Sequence, residues 1–209
     1  AERHPGFAGL EAVMSAPFQR IPVAQPVLGD YEIAELTDVI RSGRISSGAK
    51  VEAFEDAVAE YTGAKHAIAV STGTAALHVT LAALGVGPGD EVLVPDLTFI
   101  STAFVVLYQG ATPVLCECDP STYNVTAEIL ESRLTNNTRA MIPVEMNGIP
   151  LDYDEILPMA ERAGVPMIID SAESFGSEFY GQAIGDQSLA HTWSFFPNKT
   201  VTTGEGGMV

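Results

Sequence analysis

The strongest constraint in this sequence is the run Val165-Pro166-Met167-Ile168-Ile169, apolar throughout and closed by Asp170. A strand with one face in water alternates apolar and polar side chains, whereas a strand apolar at every position is buried on both faces. Parallel sheets covered by crossover helices are the usual setting for such strands. The rest of the chain repeats the theme. Short apolar runs at His66 to Val70, Glu91 to Val94, Thr112 to Cys118 and Arg139 to Val144 read as further strands. Helical patterns separate them, at Thr74 to Leu84, Phe99 to Gln109, Thr126 to Leu134 and Tyr153 to Ala163. This order predicts an α/β domain with a mainly parallel sheet, helices on both faces and right-handed connections.

Two amphipathic helices precede this core. Asp30 is placed to cap the first, which carries Ile33, Leu36, Val39 and Ile40 on one face and stops at Gly43. The second carries Val51, Phe54, Val58 and Tyr61 and ends at Gly63. Residues 1–20 read as a leader of undetermined structure. After Asp170 six glycines between Gly176 and Gly207 predict strands and turns rather than long helices. The last residues, Gly206 to Val209, read as the start of a strand, which predicts that the polypeptide is a fragment of a longer one.

Composition narrows the partners. Of 209 residues 46% are hydrophobic and 18% charged, enough apolar surface for one ordinary core and too little charge for disorder. Aspartate and glutamate outnumber lysine and arginine 27 to 10, a net charge of −17 that repels nucleic-acid and anionic membrane surfaces. No run approaches the ~18 apolar residues of a membrane span, and the first residues have no signal-peptide pattern. Cys116 and Cys118, two apart, suit neither a metal site nor a disulfide; they read as buried thiols in a reducing cytoplasm.

Three polar clusters fall where strands of such a sheet should end, the place where open α/β sheets bind ligands. Ser71-Thr72-Gly73-Thr74-Ala75-Ala76 joins a strand to a helix, so that small residues expose backbone amides to an anion at the positive helix end. It lacks the lysine of a P-loop and the glycine spacing of a dinucleotide-binding turn. Asp170 ends the apolar run and serves either as a buried carboxylate needing partners or as a cap for Ser171-Ala172-Glu173. Lys199, one of three lysines with Lys50 and Lys65, follows Ser194-Phe195-Phe196-Pro197-Asn198. Its aromatic and glycine-rich surroundings suit a tight, partly buried turn, where burial or a neighbouring cation could make the amine a nucleophile. Phe99 reads as core packing on pattern alone. His66, His78 and His191 carry no motif and read as packing or surface residues, and Tyr180 and Trp193 as core candidates.

The order of these clusters resembles fold-type I pyridoxal 5′-phosphate (PLP) enzymes, and more closely the DegT/DnrJ/StrS family of sugar aminotransferases. The resemblance runs from Ile21 to Val209. It is carried by Ser42 to Gly48, Ser71 to Leu77, Pro88-Gly89-Asp90-Glu91-Val92, Thr98-Phe99, Asp170 to Glu173, Ser194 to Lys199 and Gly204 to Gly207. It implies an aspartate-aminotransferase-like large domain at residues 21–209, incomplete, with a small C-terminal domain beyond it. By resemblance Lys199 would join the cofactor covalently, Asp170 would face the pyridine nitrogen, and Gly73, Thr74 and Ser194 would hold the phosphate. Phe99 would lie over the ring and Glu173 near its hydroxyl. The implied partners are an amino donor, glutamate, and a nucleotide-linked keto sugar, with active sites shared across a homodimer. Asp170 to Ser174 and Arg44 to Gly48 are similar to perosamine-synthase-type members, which implies a GDP-linked 4-keto-6-deoxyhexose. Asn147-Gly148-Ile149-Pro150 departs from the His-x-x-Gly pattern of many members, which puts a substrate contact from that loop in doubt. Another fold-type I enzyme (a lyase or a small amino-acid transferase), or a regulator or scaffold built on the fold, remains the alternative.

Overall fold

The computed structural model describes residue 22 and residues 24–209; the leader expected at residues 1–20 lies outside the described residues. The chain runs α1 (Asp30–Ser42), α2 (Ala49–Thr62), β1 (Ala69–Val70), α3 (Gly73–Ala83), β2 (Glu91–Pro95), α4 (Ser101–Tyr108), β3 (Thr112–Cys116), α5 (Ala127–Arg133) and β4 (Thr138–Met141). It continues through α6 (Tyr153–Ala163), β5 (Ile168–Asp170), the short hairpin β6 (Glu178–Phe179) and β7 (Gln182–Ala183), β8 (Ala190–Ser194) and β9 (Gly207–Met208).

Strands β3, β2 and β4 pair in parallel, as do β5 and β8, while β9 lies antiparallel between β8 and β1. Parallel bridges Met141–Met167 and Val144–Asp170 join the two groups in the order β3-β2-β4-β5-β8-β9-β1. The mainly parallel sheet is thus present, with one reversed strand where β8 folds back through the turn that carries Lys199.

The all-apolar strands are explained by two cores, one on each face. Leu93, Met141, Ile169 and Trp193 point to one face and pack with Val58 of α2, Leu130 of α5 and Ile156 and Met159 of α6. Their neighbours Val92, Val94, Ala140, Ile142 and Ile168 point to the other, against Leu77 and Leu81 of α3 and Val105 and Val106 of α4. Period-2 alternation therefore survives as a choice between two apolar cores.

Several local expectations change. Gly29, not Asp30, caps α1, its amide donating to Glu32 Oε2 at 2.7 Å, and Asp30 is the first helical residue. The apolar face of α1 stays exposed at Ile33, Leu36 and Ile40, because no described element packs over it. Helix α4 begins two residues late, since Phe99 and Ile100 form its entry turn. Tyr180 is no core residue: it sits at the β6–β7 turn with φ of 51° and is 82% exposed, whereas Trp193 is buried. Cys116 is buried, and that burial pushes its thiol up to about 11; Cys118, past the end of β3, is half-buried, and neither forms a disulfide. Among the described residues no helix is long and apolar enough to cross a membrane.

Strand β9 reaches the sheet only because Gly207 has no side chain: a Cβ there would stand 2.3 Å from the Thr72 carbonyl oxygen. Backbone cannot yield as a flexible side chain does. Gly207→Ala should therefore destabilise the protein by about 1–3 kcal/mol, the usual cost of overpacking. Urea unfolding of variant and parent checks this, and an unchanged midpoint would refute it.

Candidate active site

All seven residues singled out from the sequence, Gly73, Thr74, Phe99, Asp170, Glu173, Ser194 and Lys199, line one cleft of about 400 Å³ at the carboxyl ends of β5 and β8. Its size lies within the usual ~300–1,000 Å³ of small-molecule pockets.

One wall is the start of α3. Thr72 has extended backbone and caps the helix, its hydroxyl accepting from the Ala75 amide at 3.0 Å. The amides of Gly73 and Thr74, one turn too early for helical bonds, find no acceptor among the described residues. The Thr74 hydroxyl lies 2.7 Å from the Ser101 hydroxyl at the start of α4. Gly73 is required by close approach: a Cβ would sit 2.9 Å from the Cβ of Ser194, at the end of β8. Ser194 thus presses against the helix start, with its own hydroxyl unpaired among the described residues. Two amides without acceptors among the described residues, two hydroxyls and a helix N-terminus form a donor-rich corner suited to a phosphate.

The floor is Asp170, only 5% exposed. Its Oδ2 accepts from the Thr102 hydroxyl at 2.9 Å and its Oδ1 from the Ala172 amide at 3.2 Å. Burial raises its pKa, against the Thr102 and Ala172 hydrogen bonds and the charge of Lys199, while the Glu173 charge adds to the rise. No helix follows Asp170; the chain turns at Ala172 instead, so capping is not its task. A buried carboxyl with a spare face toward a cleft is stabilised by whatever cation docks there.

Lys199 sits in the β8–β9 turn, its amide bonded to the Phe196 carbonyl at 2.9 Å. The turn is held at its base by Phe195, which bonds Gly206 and Thr203 through its backbone and is buried against Phe54 and Phe175. The Lys199 amine lies 3.6 Å from Glu173 Oε1, and the other oxygen of Glu173 accepts from the Asn147 amide at 2.9 Å. Glu173 is therefore not merely solvated. Lys50 and Lys65 line no part of the cleft; Lys50 pairs with Glu35. Phe99, 75% exposed at the cleft edge, is not core packing.

Three contributors had no sequence motif. Thr102 and Ser101 lie in an otherwise apolar helix start, where a fully buried hydroxyl such as Thr102 needs a partner; that need was the available signal. Asn147 reaches Glu173 through its backbone in a left-handed conformation (φ 55°) that Asn tolerates, but residue type does not announce the distant partner.

Residues 26–209 match the DegT/DnrJ/EryC1/StrS aminotransferase family. The chain belongs to this family. It is 47% identical over 191 residues to GDP-perosamine synthase from Caulobacter vibrioides, covering 91% of this chain and 52% of that protein. The aminotransferase from Psychrobacter cryohalolentis superposes with a TM-score of 0.85 at 35% identity, over 92% of this chain and 48% of the other. The PLP form of a candidate sugar aminotransferase from Streptococcus pneumoniae superposes with 0.88 at 34%, over 91% and 52%. This family member thus spans about half the length of the relatives it matches.

His191, on β8 beside this site, is buried, stacked on Trp193 and bonded through Nδ1 to the Ser171 hydroxyl at 2.9 Å. Among the described residues its Nε2 has no partner, and burial pushes its pKa from 6.5 down to about 4. A depressed folded value means that this group's contribution is intact above 6.5 and is lost as pH falls toward 4. Acidification through that window should cost about 3 kcal/mol at this position. Urea unfolding at both pH values should show His191→Gln losing less stability than the parent; equal losses would refute the assignment.

Proposed function

We propose that the full-length protein is a PLP-dependent aminotransferase that moves an amino group from glutamate to a nucleotide-linked keto sugar, with a GDP-linked 4-keto-6-deoxyhexose as first candidate. The single observation that carries the reading is the meeting of Lys199, Asp170 and the α3 donor corner in one cleft. The name of the Caulobacter relative supports the sugar class.

The residues present fit this cofactor. The amides of Gly73 and Thr74 and the hydroxyls of Thr74 and Ser194 offer donors at a helix N-terminus, which suits a phosphate. Asp170 would hold a proton on a ring nitrogen, and a cation against it would favour the charged carboxylate that burial alone opposes. Bound PLP supplies an aldehyde and an electron-withdrawing ring able to carry an amino group between substrates. Lys199 is the lysine lining the cleft, so its Nζ is the group that would hold the aldehyde end of the cofactor and would move the proton at Cα of the donor. Phe99 would cover the ring face, and Glu173 would orient Lys199 and approach the ring hydroxyl.

The reading includes a homodimer, supported by exposed apolar residues Phe104, Leu107 and Tyr108 on α4 beside the cleft edge. It also includes a cytoplasmic setting, supported by the free thiols of Cys116 and Cys118.

The test is optical. Cofactor-loaded, full-length protein should lose its yellow colour on adding glutamate and regain it with a nucleotide-linked 4-keto sugar. Recovery with 2-oxoglutarate, the reverse of the first step, but with no keto sugar would refute the sugar assignment. Lys199→Ala should lower turnover by about 10²–10⁴, the range for a positioned acid–base group, and should abolish borohydride trapping of the cofactor. Gly73→Ala should weaken cofactor binding by displacing Ser194 from the donor corner, read by fluorescence titration; unchanged affinity would remove Gly73 from the phosphate site.

A further inference from the structure

Glu145 is fully buried, and the site just described does not use it. One carboxylate oxygen accepts from the Tyr153 hydroxyl and the other from the Ser174 hydroxyl. Among the described residues it forms no ion pair. Burial raises its pKa; the hydroxyls of Ser174, Tyr153 and Ser171 and the Leu151 amide work against that rise. A buried carboxyl surrounded by hydroxyl donors and lacking a cation is a costly way to fill space, since an apolar side chain would fill it without desolvating a charge.

Its position shows what it accomplishes. The Glu145 amide donates to the Asp170 carbonyl at 3.1 Å and the Asp170 amide to the Pro143 carbonyl at 2.9 Å, laying the segment after β4 along the end of β5. Past that point the two segments are bridged at three levels. Glu145 holds Ser174, the Asn147 amide holds Glu173 Oε2 at 2.9 Å, and the Ser177 hydroxyl holds the Gly148 carbonyl at 2.8 Å. Of the three, the Glu145 bridge is the fully buried one, so water does not compete for it. Ser174 directly follows Glu173, whose Oε1 lies 3.6 Å from the Lys199 amine.

We propose that Glu145 is a positioning residue: through Ser174 it clamps the 171–177 turn to the 145–148 segment and thereby sets Glu173 against Lys199. Its functional weight rests on the reading of Lys199 as the reactive amine. The clamp itself concerns only this chain's own residues.

The test uses the full-length protein without cofactor and a water-soluble carbodiimide, which couples a carboxylate to a touching amine as an amide while the carbodiimide leaves as its urea. Peptide mapping then quantifies two cross-links, Glu173–Lys199 and the remote, exposed pair Glu35–Lys50. Glu145→Leu and Ser174→Ala should lower the first by roughly tenfold, the population effect of one lost charge-assisted hydrogen bond, and leave the second unchanged. Glu145→Gln should restore the first, because an amide and hydroxyls can exchange donor and acceptor roles. Should Glu145→Leu not fold, Ser174→Ala and Glu145→Gln carry the comparison. Unchanged Glu173–Lys199 coupling, or an equal fall in both pairs, overturns the proposal. Borohydride trapping at a lysine other than Lys199 would overturn the functional reading while leaving the cross-link result standing.

Discussion

Because helices cover both faces of the sheet, side chains leaving a strand interior enter apolar cores in both directions, and polar groups collect where strands end. Val92 and Leu93, or Ile168 and Ile169, face opposite cores with no solvent on either side. A carboxylate tolerated at Asp170 would not be tolerated two residues earlier, inside the strand. The cleft is thus a consequence of the same burial that holds the domain together.

Close backbone contacts then convert that general location into a defined site. Gly73 lets β8 approach the start of α3, and Gly207 lets β9 approach Thr72. Together they bring the turn between β8 and β9, with Lys199, to the side of the helix whose amides are free. Bulk at either position would push the amine and the donor corner apart. This explains why these two glycines matter to the cleft although neither carries a side chain.

The cleft shares the chain's acidic balance. The protein carries −17, and three acids, Asp170, Glu173 and Glu205, share the cleft with the lysine Lys199. An acidic surface would repel phosphate-bearing ligands at a distance, so recognition has to come from short-range amides and hydroxyls, which act within hydrogen-bond reach. Among the described residues the buried Glu145 and His191 form no ion pair, and hydroxyls of Ser171, Ser174 and Tyr153 supply their hydrogen bonds.

The apolar run ending at Asp170, the small-residue turn at Gly73 and Thr74, and the isolated Lys199 were legible from the chain, because burial on two faces, helix-end amides and a lysine among aromatics each leave a compositional trace. Parallel pairing and the placement of these groups at strand ends followed from the same traces. Tyr180, by contrast, read as core and lies on an exposed turn, since an aromatic side chain carries no record of whether its hairpin is covered. The Thr102 bond to Asp170, 68 residues away, and the Glu145 bond to Ser174, 29 residues away, could only be decided by folding. Local pattern reports which face a residue prefers, through periodicity and propensity. Which distant donor meets a buried acceptor depends on strand order and register, and these exist only once the sheet is assembled.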